Sequence, residues 1–376
     1  MSGTLLVCDR AVPQPSRDTA SLRMWRLLAI LRSKGWELSF HPLDGPTPRL
    51  AAERLRGQGV ELLAPGLGAL ESHLGERPEP EVALVSGPHA GEQVMPVLRR
   101  AARGTAIFYD TVDLAHLRAF RQAKATGNRG VLRDALKLKG LEMELTRNAD
   151  VAVAVSDVER TILSEAVPET EVVVVPFVHV GGDGRPPPRS ARRPEIVMVG
   201  YWPHPPNQSA ARLLLDYVWP ALAGRDPELR LVLIGALPPD WLSEAAAAGG
   251  GRILVTGHVP DVAPFLESAW CSVAPLLFGS GVKGKVLSSL AHGLPTVGTS
   301  IAWEGIPIVD GVHGLVADDP EAMVEGVERL RSDPELWDRL NETGPRLVAE
   351  HFSFAAARAA IVDALGRALA RAEART

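Results

Sequence analysis

Short runs of Val, Ile, Leu and Ala recur along this chain, each followed by a stretch with helical spacing, and this alternation limits the folds open to it. Runs that are apolar at almost every position read as strands covered on both faces, not as half-exposed strands with polar alternation. Strands of that kind separated by helices build a parallel, doubly wound sheet. Strands are predicted at 4–8, 37–40, 60–63, 82–85, 106–109, 151–155 and 172–175. Helices are predicted at 21–34, 50–56, 92–103, 112–125, 131–147 and 157–166. In the first of these, Leu22, Trp25, Leu28 and Leu31 share one face and Gly35 closes it.

Residues 181–193, GGDGRPPPRSARR, break the pattern. Rich in Gly, Pro and Arg and without apolar period, they read as a semi-rigid, solvated linker. The pattern then restarts. Strands are predicted at 195–199, 230–234, 253–255, 270–274, 296–298, 307–309 and 315–316, with helices at 209–222, 240–248 and 262–268. Three helices, 320–331, 334–350 and 354–374, finish the chain. The predicted fold class is α/β, with two Rossmann-like doubly wound parallel-sheet domains and a cleft between them. The first spans 1–180, the linker 181–194 and the second 195–352, leaving 353–376 as a terminal helix. A chain of 376 residues is long enough for two such domains. Ligands of these sheets bind outside the C-terminal strand ends.

Composition narrows the partners. With 40 basic and 45 acidic residues the net charge is −5, which argues against nucleic acid. Two cysteines, Cys8 and Cys271, lie in different predicted strands, so a disulfide framework is excluded and a cytoplasmic setting is expected. No run of apolar residues is long enough to span a bilayer. Peripheral membrane contact stays open, although no polybasic amphipathic helix announces it. Ten histidines without paired spacing make zinc an unfavoured reading, and no metal or other cofactor is expected.

The stretch 275–295, PLLFGSGVKGKVLSSLAHGLP, carries most of the chemistry. A strand, a loop with Gly279, Gly281 and Gly284, and a helix stopped by Gly293 and Pro295 make an anion site. Backbone N–H groups point outward there and the helix dipole is positive. Lys283 and Lys285 add cations, so a phosphorylated ligand is expected. Gly279 to Gly284 also satisfies GxGxxG, with Glu304 twenty residues on, which taken alone is a dinucleotide fingerprint. The lysine inside the loop and its distance from the first strand of the domain favour a nucleoside diphosphate. The bland alternative is a glycine-rich turn without a ligand.

In the first half, Asp110 and Asp113 follow a predicted strand, with His116 one helical turn later. Either they orient an acceptor hydroxyl and assist its proton, or one of them caps the next helix. Arg17, Asp18 and Arg23, in or after the first strand–helix loop, are candidate acceptor-binding residues. For Arg23 the alternative is plain helix surface.

Several stretches, in order, resemble the retaining, nucleotide-sugar-dependent glycosyltransferases of family four (group 1), bacterial enzymes among them, with the GT-B fold. They are Val199-Gly200 with His204-Pro205-Pro206-Asn207; Leu233-Ile234-Gly235; Val255-Thr256-Gly257-His258-Val259-Pro260-Asp261; Ala274-Pro275-Leu276 with the glycine loop; Gly293-Leu294-Pro295-Thr296-Val297; Glu304-Gly305-Ile306; and His351-Phe352-Ser353. In the first half Asp9, Pro13, Pro15, Ser21, Arg23 and Tyr109-Asp110-Thr111-Val112-Asp113 resemble a bacterial subgroup. The likeness runs over nearly the whole chain.

The resemblance implies a nucleotide-sugar donor in the second half and a hydroxyl acceptor in the first. His204 and Asn207 would belong to the donor site. Gly257, His258 and Val259 would lie near the base. Gly279, Ser280, Gly281, Val282, Lys283 and Lys285 would hold the diphosphate, and Glu304, Gly305 and Ile306 would lie near the ribose or sugar. Helix 354–374 would cross back to the first domain. Fixed cations around a leaving diphosphate stabilise charge that grows in the transition state. Lys285 is thus a catalytic candidate with Asp110, Asp113 and His116. No Asp-x-Asp pair occurs. Two departures stand out: Ser280 and Ser288 occupy positions where many members carry glutamates. They motivate a non-catalytic nucleotide-sugar-binding subunit as an alternative, with an NAD(P)-dependent oxidoreductase and a sugar-nucleotide epimerase as further ones. Acceptor, sugar, base and oligomeric state stay open.

Overall fold

The computed structural model describes residues 3–15, 19–44, 47–179 and 185–375. The chain divides into two compact units. One comprises residues 1–117, 132–178 and 354–376, the other 118–131 and 179–353.

The first unit is built on seven strands: β1 (Thr4–Asp9), β2 (Glu37–Pro42), β3 (Glu61–Leu62), β4 (Val82–Ser86), β5 (Ala106–Asp110), β6 (Val151–Ala154) and β7 (Glu171–Val174). Their order is β3-β2-β1-β4-β5-β6-β7, and every pairing is parallel. β4 and β5 are buried at every residue, as apolar runs covered on both faces must be. Side chains alternate between two cores. Leu5, Val7, Val82, Leu84 and Phe108 face the helices Thr19–Ser33 and Phe354–Arg375. Leu6, Cys8, Ala83, Val85, Ile107 and Tyr109 face the helix Gly87–Ala101. The terminal helix packs through Ala357, Ile361, Ala364, Leu365, Ala368 and Ala372. A helix at Leu67–Glu76, with no counterpart among the predicted elements, buries Leu70 and Leu74.

The second unit holds six strands: β8 (Arg193–Val199), β9 (Arg230–Ile234), β10 (Ile253–Gly257), β11 (Ala269–Ala274), β12 (Thr296–Gly298) and β13 (Leu315–Val316). Their order is β10-β9-β8-β11-β12-β13, again parallel throughout. The predicted strand at 307–309 does not form. Only an isolated bridge, Asp310 to Gly314, lies nearby. The helix predicted from 209 begins at Pro205, where proline suits the first turn, and passes through a π turn at Leu214–Val218. No helix among the described residues is long and apolar enough to cross a membrane.

Residues 181–184 of the expected linker lie outside the described ones. Arg192 is not a solvated linker residue. Its guanidinium donates to the carbonyls of Leu266 (2.7 Å), Ala269 (3.1 Å), His292 (3.1 Å) and Gly293 (3.1 Å) and lies over the Trp337 ring. These carbonyls close segments around β11 and the helix Gly284–Ala291. A planar five-donor group satisfies several of them at once.

Candidate active site

Because the second sheet is parallel, all its C-terminal strand ends share one edge. The register pairs Val199 with Ile234, Ile234 with Gly257 and Ala274 with Gly298. From β10 to β12 this edge spans four strand spacings, about 19 Å. The turns that leave it carry all the predicted donor-site residues. Two of them are drawn close by glycine: a Cβ on Gly235, whose φ is +153°, would lie 1.7 Å from the Gly200 carbonyl oxygen. No other residue fits there.

At the end of β8 the chain turns through Tyr201 to His204, the N-cap of the helix Pro205–Leu213. Asn207, buried in its first turn, donates through Nδ2 to Tyr201 O at 2.7 Å. Its Oδ1 accepts from Lys285 Nζ. Thus Asn207 and Lys285 are brought together from positions 78 residues apart in sequence, with His204 at the cap of the Asn207 helix. Among the described residues no carboxylate stands within ion-pair distance of Lys285. Burial, reinforced by the charge of Lys283, pushes its ammonium down to about 7. An amine so placed has no counter-ion for its charged form.

The glycine loop leaves β11 and is pinned by Thr299 Oγ1, which donates to Leu276 O at 2.7 Å. Gly281 takes a left-handed φ of +65°, open to glycine at no steric cost. Lys283 folds back to donate from Nζ to Gly281 O at 2.6 Å. It is also the N-cap of the helix Gly284–Ala291 and offers no side-chain cap, so the first N–H groups face outward. Val282 lies before this helix, not on its apolar face, which is made by Val286, Leu287 and Leu290. Ser288 Oγ donates to Gly284 O at 3.0 Å, turned onto its own helix. Ser280 is half-buried in the loop.

Glu304 follows the short helix Ser300–Trp303 after β12, with Gly305 at φ +78° and Ile306 buried. Its carboxylate lies 3.8 Å from Lys283 Nζ. It also takes a two-pronged contact from Arg121, a residue with no sequence signal. Gly257, His258 and Val259 occupy the other end of the edge. Gly257 ends β10 and accepts from Gly235 N at 3.2 Å; His258 is exposed; Val259 packs on the core around Ile234. They do not touch the lysine cluster.

In the first unit, Asp110 ends β5 and is buried with Arg23, to which it is ion-paired. Arg23 is therefore not helix surface: it is 2% exposed, and its Nε and Nη2 have no hydrogen-bond partner. Asp110 does not cap the next helix. Its other oxygen takes Val112 N at 3.3 Å, and Val112 holds φ +65°, strained for a β-branched residue. The helix begins at Ala115 instead of 112, and distant carboxylates brace its start. Glu142 accepts from the N–H of Ala115 (2.8 Å) and His116 (3.1 Å) and from His116 Nδ1. Glu159 accepts from Leu114 N at 3.1 Å. Both glutamates are fully buried, and sequence spacing gives no sign of either role. Asp113 is half-buried beside them. Arg17 and Asp18 lie outside the described residues.

Residues 193–333 match the family model described as glycosyl transferases, group 1. No curated protein matches the sequence. Over the whole chain the fold is similar to sucrose-phosphate synthase from Thermosynechococcus elongatus, at TM-score 0.74 and 15% identity, covering 98% of this chain and 99% of that one. It is similar to Anabaena HepE, solved with UDP and glucose, at TM-score 0.70 and 14% identity over 97% and 99% of the two chains. A Staphylococcus aureus TarM structure gives TM-score 0.75 and 8% identity over 96% and 98%. The two parallel sheets are those of the GT-B fold, and the second contains the stretch that the group 1 glycosyl transferase model matches.

Proposed function

We propose that this protein is a glycosyltransferase that moves a sugar from a nucleoside-diphosphate sugar to a hydroxyl acceptor with retention of anomeric configuration. Lys285, beside Lys283 at an uncapped helix N-terminus, has a neutral amide oxygen as its partner and no carboxylate. A cation so held is matched by an anionic ligand, and a diphosphate at a helix N-terminus fits both groups. HepE, of similar fold, was solved with UDP and glucose, which supports the nucleotide-sugar class.

In this reading Lys283, Lys285 and the first N–H groups of the helix Gly284–Ala291 bind the diphosphate and stabilise its charge as the glycosyl bond breaks. Cations of the chain take the part that a metal plays elsewhere. Gly257 to Val259 meet the base, and Glu304 to Ile306 the sugar. Asp110, Asp113 and His116, with the spare donors of Arg23, orient the acceptor; Arg17 and Asp18 are proposed with them.

The test is a thermal-shift series with UDP, GDP, TDP and their sugar conjugates on wild type and Lys285→Ala. A ligand bound by the folded state raises the melting temperature. One nucleoside diphosphate is expected to do so in wild type and to lose the effect in the variant. No shift with any of them removes the proposal. Proton NMR of the product linkage then reads retention or inversion. The inward turn of Ser288 onto Gly284 favours a second reading, a nucleotide-sugar-binding subunit without turnover. Donor binding with neither hydrolysis nor transfer would support it.

A further inference from the structure

We infer that Arg121 is a positioning residue for the donor, holding the Glu304 carboxylate as the acceptor of a hydrogen bond from a hydroxyl of the transferred sugar. This rests on the proposed reading of the Lys285 site.

Arg121 groups with the second unit, although 158 residues separate it from Gly279 and 183 from Glu304. Its Nη1 donates to Glu304 Oε1 at 2.9 Å and its Nη2 to Oε2. Nη1 also donates to Gly279 O at 2.7 Å. One guanidinium therefore ties the turn after β12 to the glycine loop after β11. These strands are neighbours, so the two turns flank the same stretch of the edge.

The chemistry of the arrangement is selective. The Glu304 side chain is only 9% exposed, and a carboxylate placed beside a diphosphate would repel it. Arg121 and Lys283 offset that charge, leaving the lysine side of the cluster net positive. A two-pronged contact also fixes the plane of the carboxylate, which a single ammonium cannot do. Each carboxylate oxygen has two lone-pair sites. Oε2, engaged by Arg121, keeps acceptor capacity for a hydroxyl. Direction along the edge assigns that hydroxyl. With the base towards β10 and the diphosphate at Lys285, between the ends of β8 and β11, Glu304 after β12 lies on the side where the sugar must be.

The experiment compares wild type, Arg121→Lys and Glu304→Gln by calorimetric titration. Each receives the nucleoside diphosphate that shifts wild type and, separately, its sugar conjugate, with melting temperature as a check on folding. Both variants are expected to bind the sugar conjugate about tenfold more weakly, the scale of one charge-assisted hydrogen bond, while binding of the bare nucleoside diphosphate stays within about twofold. In a further variant, Arg121→Ala, millimolar guanidinium ion is expected to restore part of the sugar-conjugate affinity, but not in Glu304→Gln. Equal weakening of both ligands, or no weakening of either, overturns the role of Arg121 and leaves the donor site standing. If wild type binds none of the ligands, the donor site and this inference fall together.

Discussion

At the end of β5 the Glu142 carboxylate takes two backbone N–H groups and the His116 ring, and Asp110 takes Arg23. At the end of β11 Lys285 takes only the amide oxygen of Asn207, with a second lysine close by. The first arrangement closes its buried carboxylates on partners within the fold, leaving only Nε and Nη2 of Arg23 unpaired among these groups. The second leaves cationic charge unmatched. Buried carboxylates surrounded by N–H donors fix a loop, here one that holds Val112 at a strained φ of +65°. A desolvated amine without a carboxylate, as Lys285 is here, destabilises the empty fold and favours binding of an anion. One half is therefore the more closed; in the other, the proposed reading has an anion meet the open charge of Lys285.

Breaking the closed half should have the largest effect. Glu142→Ala strands the N–H groups of Ala115 and His116 and is expected to cost about 3 kcal/mol in urea unfolding. Nucleoside-diphosphate affinity of the folded variant should not change; a matching loss of affinity would show that the contrast between the halves is false.

Acidity sharpens the open half. The Lys285 ammonium sits at about 7 in the folded protein against an ordinary 10.5. Its folded value is lowered, so between about pH 7 and 10.5 the unfolded chain holds a proton that the folded one has shed. Stability from this group is greatest above 10.5 and falls as pH falls towards 7. A bound diphosphate favours the ammonium and reverses the preference. Above pH 7 binding should take up a proton, and affinity should fall by up to tenfold per pH unit. Titration calorimetry at pH 8 in buffers of different ionisation enthalpy reads the proton directly. Affinity flat from pH 7 to 8.5 would remove Lys285 from the contact.

The smallest effect sets the baseline. Arg160 pairs with Asp157 on an exposed helix face, and Arg160→Ala should change stability by less than about 0.5 kcal/mol. A larger change would mean that surface pairs matter here as much as buried ones.

Much of the fold was legible because its signal is local. Apolar runs with helical stretches between them mark the strands of both sheets, and the glycine loop with its two lysines marks the edge proposed to bind the donor. Local signals also misled. Pro307-Ile308-Val309 is apolar enough for a strand but has no ladder to join. Leu67, Leu70 and Leu74 have helical spacing, but Gly66, Gly68 and Gly75 hide it. Arg192 sits in a Pro- and Arg-rich segment that reads as solvated, yet four carbonyls and a tryptophan ring surround it. Arg23 has the periodicity of a helix residue, and only its burial beside Asp110 distinguishes it from surface.

Two parallel sheets and the glycine-rich turn are written into the residues themselves, because strand and helix preference and turn chemistry act over a few neighbouring positions. Which charges meet depends on how the chain packs. Glu142 reaches His116 across 26 residues, Lys285 reaches Asn207 across 78 and Arg121 reaches Glu304 across 183. No spacing rule connects such positions, since the chain between them can be folded in many ways. They become neighbours only when parallel pairing brings the strand ends to one edge, where low exposure makes each charge depend on what stands beside it.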